Sequence, residues 1–144
     1  MLGNYFLFLT SKDSLSHHPT NSASDFTVQL SQKYFLGENW EVALVEVQCE
    51  GEPLPPYVII SCDLCSDSYI RNSSREVLRT LGSDFEKARS FSLPYYVKVS
   101  RWQLDSVRIR LLGADLREIP KLQENQEREL RCVLHIRHHA SHKK

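Results

Sequence analysis

The hexapeptide Ser106-Val107-Arg108-Ile109-Arg110-Leu111 reads as a strand with one buried side, because Val107, Ile109 and Leu111 alternate with Ser106, Arg108 and Arg110. Successive side chains of an extended chain point to opposite faces, so this alternation builds one apolar and one polar face. The same period recurs on either side of it. Phe26, Val28 and Leu30 alternate with Thr27, Gln29 and Ser31, and Tyr5, Leu7 and Leu9 alternate with Phe6, Phe8 and Thr10. Between these two runs, Ser11 to Asp25 holds almost nothing apolar and reads as a long connecting loop in which Pro19 and Asn21 favour turns. After the turn signal Gly37-Glu38-Asn39, Trp40 to Val47 carries Trp40, Val42, Leu44 and Val45.

Further along, Gly51 to Pro56 breaks the chain with three prolines, which cannot donate to a ladder, and Tyr57 to Leu64 follows as a strand. Val77, Leu78 and Leu81 sit in a helix-favouring mixture of Glu, Leu and Arg, yet their brevity fits a strand. Leu93 to Val99, with Tyr95, Val97 and Val99 in alternation, Val107 to Leu111, and Leu130 to Ile136 complete eight expected strands. The connections are too uneven for an up-and-down meander, and no helical stretch is long enough to cover a parallel sheet. The expected fold is therefore all-β: an eight-stranded single jelly-roll β-sandwich of two antiparallel four-stranded sheets. Its expected core residues are Trp40, Val42, Leu44, Val58, Ile60, Val107, Ile109 and Leu134, and alternation decides which face each strand buries.

The chain has 144 residues, with 18 basic and 18 acidic side chains and a formal net charge of +0. At 41% hydrophobic and 25% charged it has ordinary globular composition, which argues against general disorder and against a supercharged nucleic-acid binder. A chain of this size buries roughly 70% of its unfolded surface without a metal or disulfide staple. One domain over residues 1–137 is expected, followed by a basic, His-rich tail over residues 138–144. No run approaches the ~18 consecutive apolar residues of a membrane helix. The N-terminal segment lacks the positive region and cleavage site of a secretory signal, so the chain is expected to be made and kept inside a cell, with Cys49, Cys62, Cys65 and Cys132 reduced.

Tests for chemistry turn up little. Cys62-x-x-Cys65 is half of a zinc site, and His135, His138, His139 and His142 are candidates for the other half. Residues three apart at a strand end are expected to point to opposite faces, however, which favours two buried thiols over a metal. There is no Gly-x-Ser-x-Gly elbow and no Gly-x-x-x-x-Gly-Lys loop, so no catalytic residue and no nucleotide or other cofactor site is expected. Asp63 and Asp67 read as solvated loop acids, because a hard cation needs six to eight oxygens. In the tail, Arg137, His138, His139, Lys143 and Lys144 are candidates for contact with neighbouring subunits or with nucleic acid, although no aromatic residue is interleaved for base stacking. Phe6, Phe8, Phe35 and Tyr96 fall opposite the core-facing residues. They mark either a second buried layer or a subunit interface.

Taken in order, Phe26-Thr27-Val28-Gln29-Leu30, Trp40 to Val47, Cys62-Asp63-Leu64, Leu78-Arg79, Tyr95-Tyr96-Val97-Lys98-Val99, Ser106 to Leu111 and Val133-Leu134-His135-Ile136-Arg137 resemble the single jelly-roll penton proteins of Maverick/Polinton elements, adintoviruses and related adenovirus-like viruses. The resemblance spans nearly the whole chain and rests on order and spacing. It implies a non-enzymatic minor capsid protein of the virion, a pentamer at the icosahedral vertex. Such a pentamer would pack side to side, dock on the major capsid protein and reach packaged DNA through the tail. The chain lacks the Arg-Gly-Asp tripeptide of adenovirus pentons, so receptor binding is not implied. A monomeric β-sandwich module that binds a host protein or glycan is the alternative from another class.

Overall fold

A computed structural model describes residues 4–49, 57–70, 73–82, 88–117, 119 and 129–138. Eleven strands occur among them: β1 (Asn4–Thr10), β2 (Asp25–Phe35), β3 (Trp40–Cys49), β4 (Val58–Cys62), β5 (Ser68–Ile70), β6 (Ser73–Arg75), β7 (Val77–Leu81), β8 (Ala88–Ser90), β9 (Val97–Lys98), β10 (Gln103–Leu112) and β11 (Leu130–His138). One sheet has the order β1-β11-β3-β8, with β9 also on β3, and the other has the order β2-β10-β4-β7. All of these pairings are antiparallel.

This order is a jelly roll. The first four long strands pair with the later ones in reverse sequence: β1 with β11, β2 with β10, β3 with β8 and β9, and β4 with β7. Rolling that long hairpin on itself adds the β11·β3 and β10·β4 ladders and leaves two sheets face to face. β8 and β9 are two pieces of one broken edge strand, pairing with Glu46–Gln48 and with Glu41–Val42 respectively. With them counted as one, each sheet is four strands wide.

The core fills the space between the sheets. Trp40, Val42, Leu44, Val58, Ile60, Val107, Ile109 and Leu134 are all buried in one cluster with Phe26, Leu64, Leu78, Leu104, Leu111 and Leu130. Each fully buried aliphatic or aromatic side chain contributes roughly 1.5–3 kcal/mol. β3 changes inward parity partway along its length. Trp40, Val42 and Leu44 face the core, then Val47 and Cys49, because the register against β11 steps from Leu134↔Leu44 to Val133↔Glu46 and leaves Val45 as the extra residue of a bulge.

The departures from the sequence expectation have local causes. The stretch Leu93–Val99 is not a continuous strand: only Val97 and Lys98 pair, while Leu93 and Tyr95 are 84% and 68% exposed. Pro94, with no N–H, interrupts any ladder there. The edge position is taken instead by β8, whose Ala-Arg-Ser sequence has no apolar period, and the Ser-rich pair β5–β6 is likewise silent in the pattern. Finally, Cys62 and Cys65 do not point apart. The chain turns at Asp63-Leu64, where the Cys65 N–H bonds the Cys62 carbonyl at 3.1 Å, and both cysteines are buried in the core. The last strand runs through His138, two residues beyond the expected end at Ile136.

Side chains finish the backbone bonding at the free edge of the second sheet. The Asn21 carboxamide takes the Thr27 N–H (2.9 Å) and donates to the Thr27 carbonyl (2.9 Å), and Ser14 Oγ takes the Gln29 N–H (2.8 Å). The long loop thus stands in for a neighbouring strand on β2 and guards that edge against pairing with another chain. Where the same loop leaves β1, buried Ser11 exchanges two bonds with Leu130: its Oγ accepts the Leu130 N–H (3.0 Å) and its own N–H donates to the Leu130 carbonyl (2.9 Å). Ser11→Ala strands a buried donor and is expected to cost about 1–3 kcal/mol, read as a lower urea midpoint with an unchanged slope.

Candidate interaction surface

The outer face of the β1-β11-β3 sheet is built in rows set by strand register. Asn4, Arg137, Glu41 and Lys98 form the first row across the strands; Phe6, His135 and Ala43 form the second; Phe8, Val133, Glu46 and Ser90 form the third; Thr10, Arg131 and Gln48 form the fourth. A charged row at one end therefore gives way to an aromatic row, then to one in which Phe8 and Val133 stand beside Glu46 and Ser90, and last to a polar one.

In the first two rows the side chains lock onto one another. The Arg137 guanidinium donates to Glu41 at 2.6 Å and lies 3.5 Å over the Tyr96 ring. Tyr96 immediately precedes β9, and its hydroxyl and His135 Nδ1 share a hydrogen bond at 2.7 Å. Ala43, in register with His135, is buried although it lies outside the central core. One face of the imidazole stacks on Phe6, with ring centres 4.5 Å apart. His135 Nε2 is buried and has no partner among the described residues.

Burial first, and then the Arg137 charge, push the His135 pKa below its ordinary value, against a smaller pull from Glu41. The folded chain therefore binds this proton less readily than the unfolded chain does. Stability is fully present above the ordinary histidine range and falls as pH drops from about 6.5 toward the lower folded pKa. The Asp63 and Glu76 carboxyls are shifted upward, chiefly by burial, and act in the opposite sense on the acid side of that window. Urea midpoints at pH 7.5 and 5.5 are expected to fall on acidification in the wild type and to fall less in His135→Gln.

The third and fourth rows are open. Phe8 is 75% exposed and Phe6 54%. Phe8, Val133, Glu46, Gln48, Arg131 and Ser90 line a groove of about 370 Å³. A second exposed aromatic pair lies at the end of the other sheet, where Phe35 pairs in register with Gln103 and the Leu36 N–H bonds the Trp102 carbonyl at 2.7 Å. Phe35 and Trp102 are 73% and 68% exposed. Phe6, Phe8 and Phe35 thus face outward into solvent, whereas Tyr96 is half-buried by its contacts with His135 and Arg137. Trp102, Leu93 and Tyr95 carried no outward signal in the sequence, because they stand in loops or at a strand end where alternation gives no face.

Among the candidate tail contacts, Arg137 lies on this face and is held by Glu41. His138 turns inward, edge-on to the Trp40 ring at 5.5 Å. His139, Lys143 and Lys144 lie outside the described residues. Asp63, read from sequence as a solvated acid, is half-buried: it accepts the Arg108 N–H (3.0 Å) and an Arg101 guanidinium bond (3.2 Å). Among the described residues no group of three or more His, Cys, Asp or Glu side chains is placed to hold a metal ion, and no helix is long and apolar enough to cross a membrane.

The fold and this face together define the chain as a jelly-roll β-sandwich with exposed aromatic patches on two separate surfaces. No family model matches the chain, and no curated protein does. Among solved structures, a Drosophila NLP-core studied for pentamer formation and histone binding is similar at a TM-score of 0.34 and 10% identity, over 97% of this chain and 99% of that one. A similarity that low has no bearing on fold or function.

Proposed function

We propose that this chain is a structural capsid protein, a penton-like subunit that closes into a ring at an icosahedral vertex and performs no chemistry. The observation that carries the reading is the pair of unlike aromatic patches, Phe6 and Phe8 on one sheet face and Phe35 and Trp102 at the end of the other sheet. A closed ring needs two different complementary patches on every subunit, whereas a twofold dimer needs only one. The strand order is that of a jelly roll, and the ordered resemblance of the sequence to single jelly-roll pentons points the same way. The guarded β2 edge favours association through side chains over strand addition. The major capsid protein, and packaged DNA met by the tail, are the partners this role implies.

Light scattering over a range of concentration and salt, with negative-stain imaging, tests it. A mass near five chains with fivefold rings is expected. A persistent monomer would overturn self-assembly by this chain. It would favour the second reading, a monomeric module that takes a host protein or glycan in the groove beside Phe8.

A further inference from the structure

We infer that the turn after β4 is a disulfide site: Cys62 and Cys65 close into an intrachain bridge when a small-molecule disulfide is supplied, while Cys49 and Cys132 stay as thiols. None of the four is in a disulfide in this structure. Cys62 ends β4, and the Cys65 N–H donates back to the Cys62 carbonyl at 3.1 Å across Asp63-Leu64. A four-residue turn closed in this way holds its end Cα atoms within about 7 Å, close to the roughly 4.4–6.8 Å that a disulfide spans. Both side chains are also buried in the same core cluster at the two ends of this one turn. Bridging them therefore asks for little movement of the backbone.

The other two cysteines differ. Cys49 pairs in register with Leu130, and Cys132 with Val47, so the two are diagonal neighbours on the inner face of adjacent strands. Diagonal positions are about 7–8 Å apart, beyond ordinary disulfide reach.

The bridge would staple a corner where the two sheets meet. Cys65 bridges Val99, the Ser66 N–H bonds the Lys98 carbonyl (2.9 Å), and the Ser100 N–H bonds the Leu64 carbonyl (2.8 Å). The turn of one sheet is thus laced to the segment that leaves β9 in the other. Oxidised glutathione is a sufficient oxidant. One cysteine thiolate attacks a glutathione sulfur and releases one glutathione thiol; the second cysteine then displaces the other. Two protein thiols become one disulfide, and both protons and both electrons pass to two glutathione thiols.

Both sulfurs are buried, 0% and 1% exposed at Cys62 and Cys65, so the reduced chain should be refolded from urea in a series of glutathione redox buffers to reach equilibrium. Remaining thiols are then alkylated and the chain is cut after glutamate. Residues 51–76 form a fragment that holds Cys62 and Cys65 and no other cysteine. That fragment is expected to resist alkylation and to lose two hydrogens, while Cys49 and Cys132 are alkylated throughout. A parallel series kept in urea supplies the reference. Folding is expected to move the half-oxidation point about tenfold toward reducing conditions, and the oxidised protein should melt a few degrees higher. Equal half-oxidation points with and without urea, a lower melting temperature on oxidation, or a bridge at Cys49 or Cys132 would each overturn the inference.

Discussion

Trp40→Ala is expected to lower stability by about 3–5 kcal/mol, the range for deleting a large buried aromatic side chain. In a domain of this size that corresponds to a fall in melting temperature on the order of 10 °C. The ring is 6% exposed at the start of β3 and stacks on Tyr5 of β1 with centres 5.7 Å apart. His138 of β11 meets its face edge-on at 5.5 Å, and Tyr5 in turn touches Tyr34 of β2 at 5.5 Å. One side chain thus ties three strands of the first sheet to the edge strand of the second. Its removal leaves a cavity at the end of the sandwich, where Leu36 and Val99 also close the core. The backbone bond from the Val99 N–H to the Trp40 carbonyl survives the substitution, so the loss reads packing alone. Trp40→Phe keeps the stacking on Tyr5 and is expected to lose less than half as much. Guanidinium unfolding of both variants is the measurement, and an alanine variant with the wild-type midpoint would refute this placement of the ring.

Phe8→Lys should do the reverse, leaving the fold and removing the assembly. The side chain is 75% exposed on the edge strand of the first sheet, so its loss should change folding stability by no more than about 0.5 kcal/mol. In a ring contact the same ring would be buried. A lysine there would set a desolvated ammonium near Arg131 across the groove, an arrangement that costs several kcal/mol in an interface. Scattering mass is then expected to drop from the ring to a single chain, with an unchanged melting curve. A variant that still forms the full ring would take this face out of the interface and turn attention to Phe35 and Trp102 alone.

Much of the architecture is legible in the alternation of Val107, Ile109 and Leu111 and of Phe26 and Val28, because each strand buries one face and the period of two records which one. The apolar run Leu44-Val45 already hints at a change of parity, and the bulge at Val45 is that change. What escaped was written in residues with no apolar period. β8 is Ala-Arg-Ser, half of the β5–β6 pair is serine, and Pro94 undoes the promising alternation of Tyr95, Val97 and Val99. The turn at Asp63-Leu64 reversed the reading of Cys62 and Cys65, since a spacing of three means opposite faces only while the chain stays extended.

The candidate surface was half visible. Phe6 and Phe8 stand out as apolar residues on the wrong side of their strand, and that follows from local alternation. Their setting does not. Phe6 meets His135, and His135 meets Ala43, only because β1 pairs with a strand more than a hundred residues later and that strand pairs with β3. By itself, then, the sequence determined the strands, the inner face of each and a surplus of outward aromatic residues, all consequences of a period-two pattern read locally. Tertiary structure alone decided which outward residues share a row and that Ser11 holds Leu130, because those pairings depend on the register of strands distant in the chain.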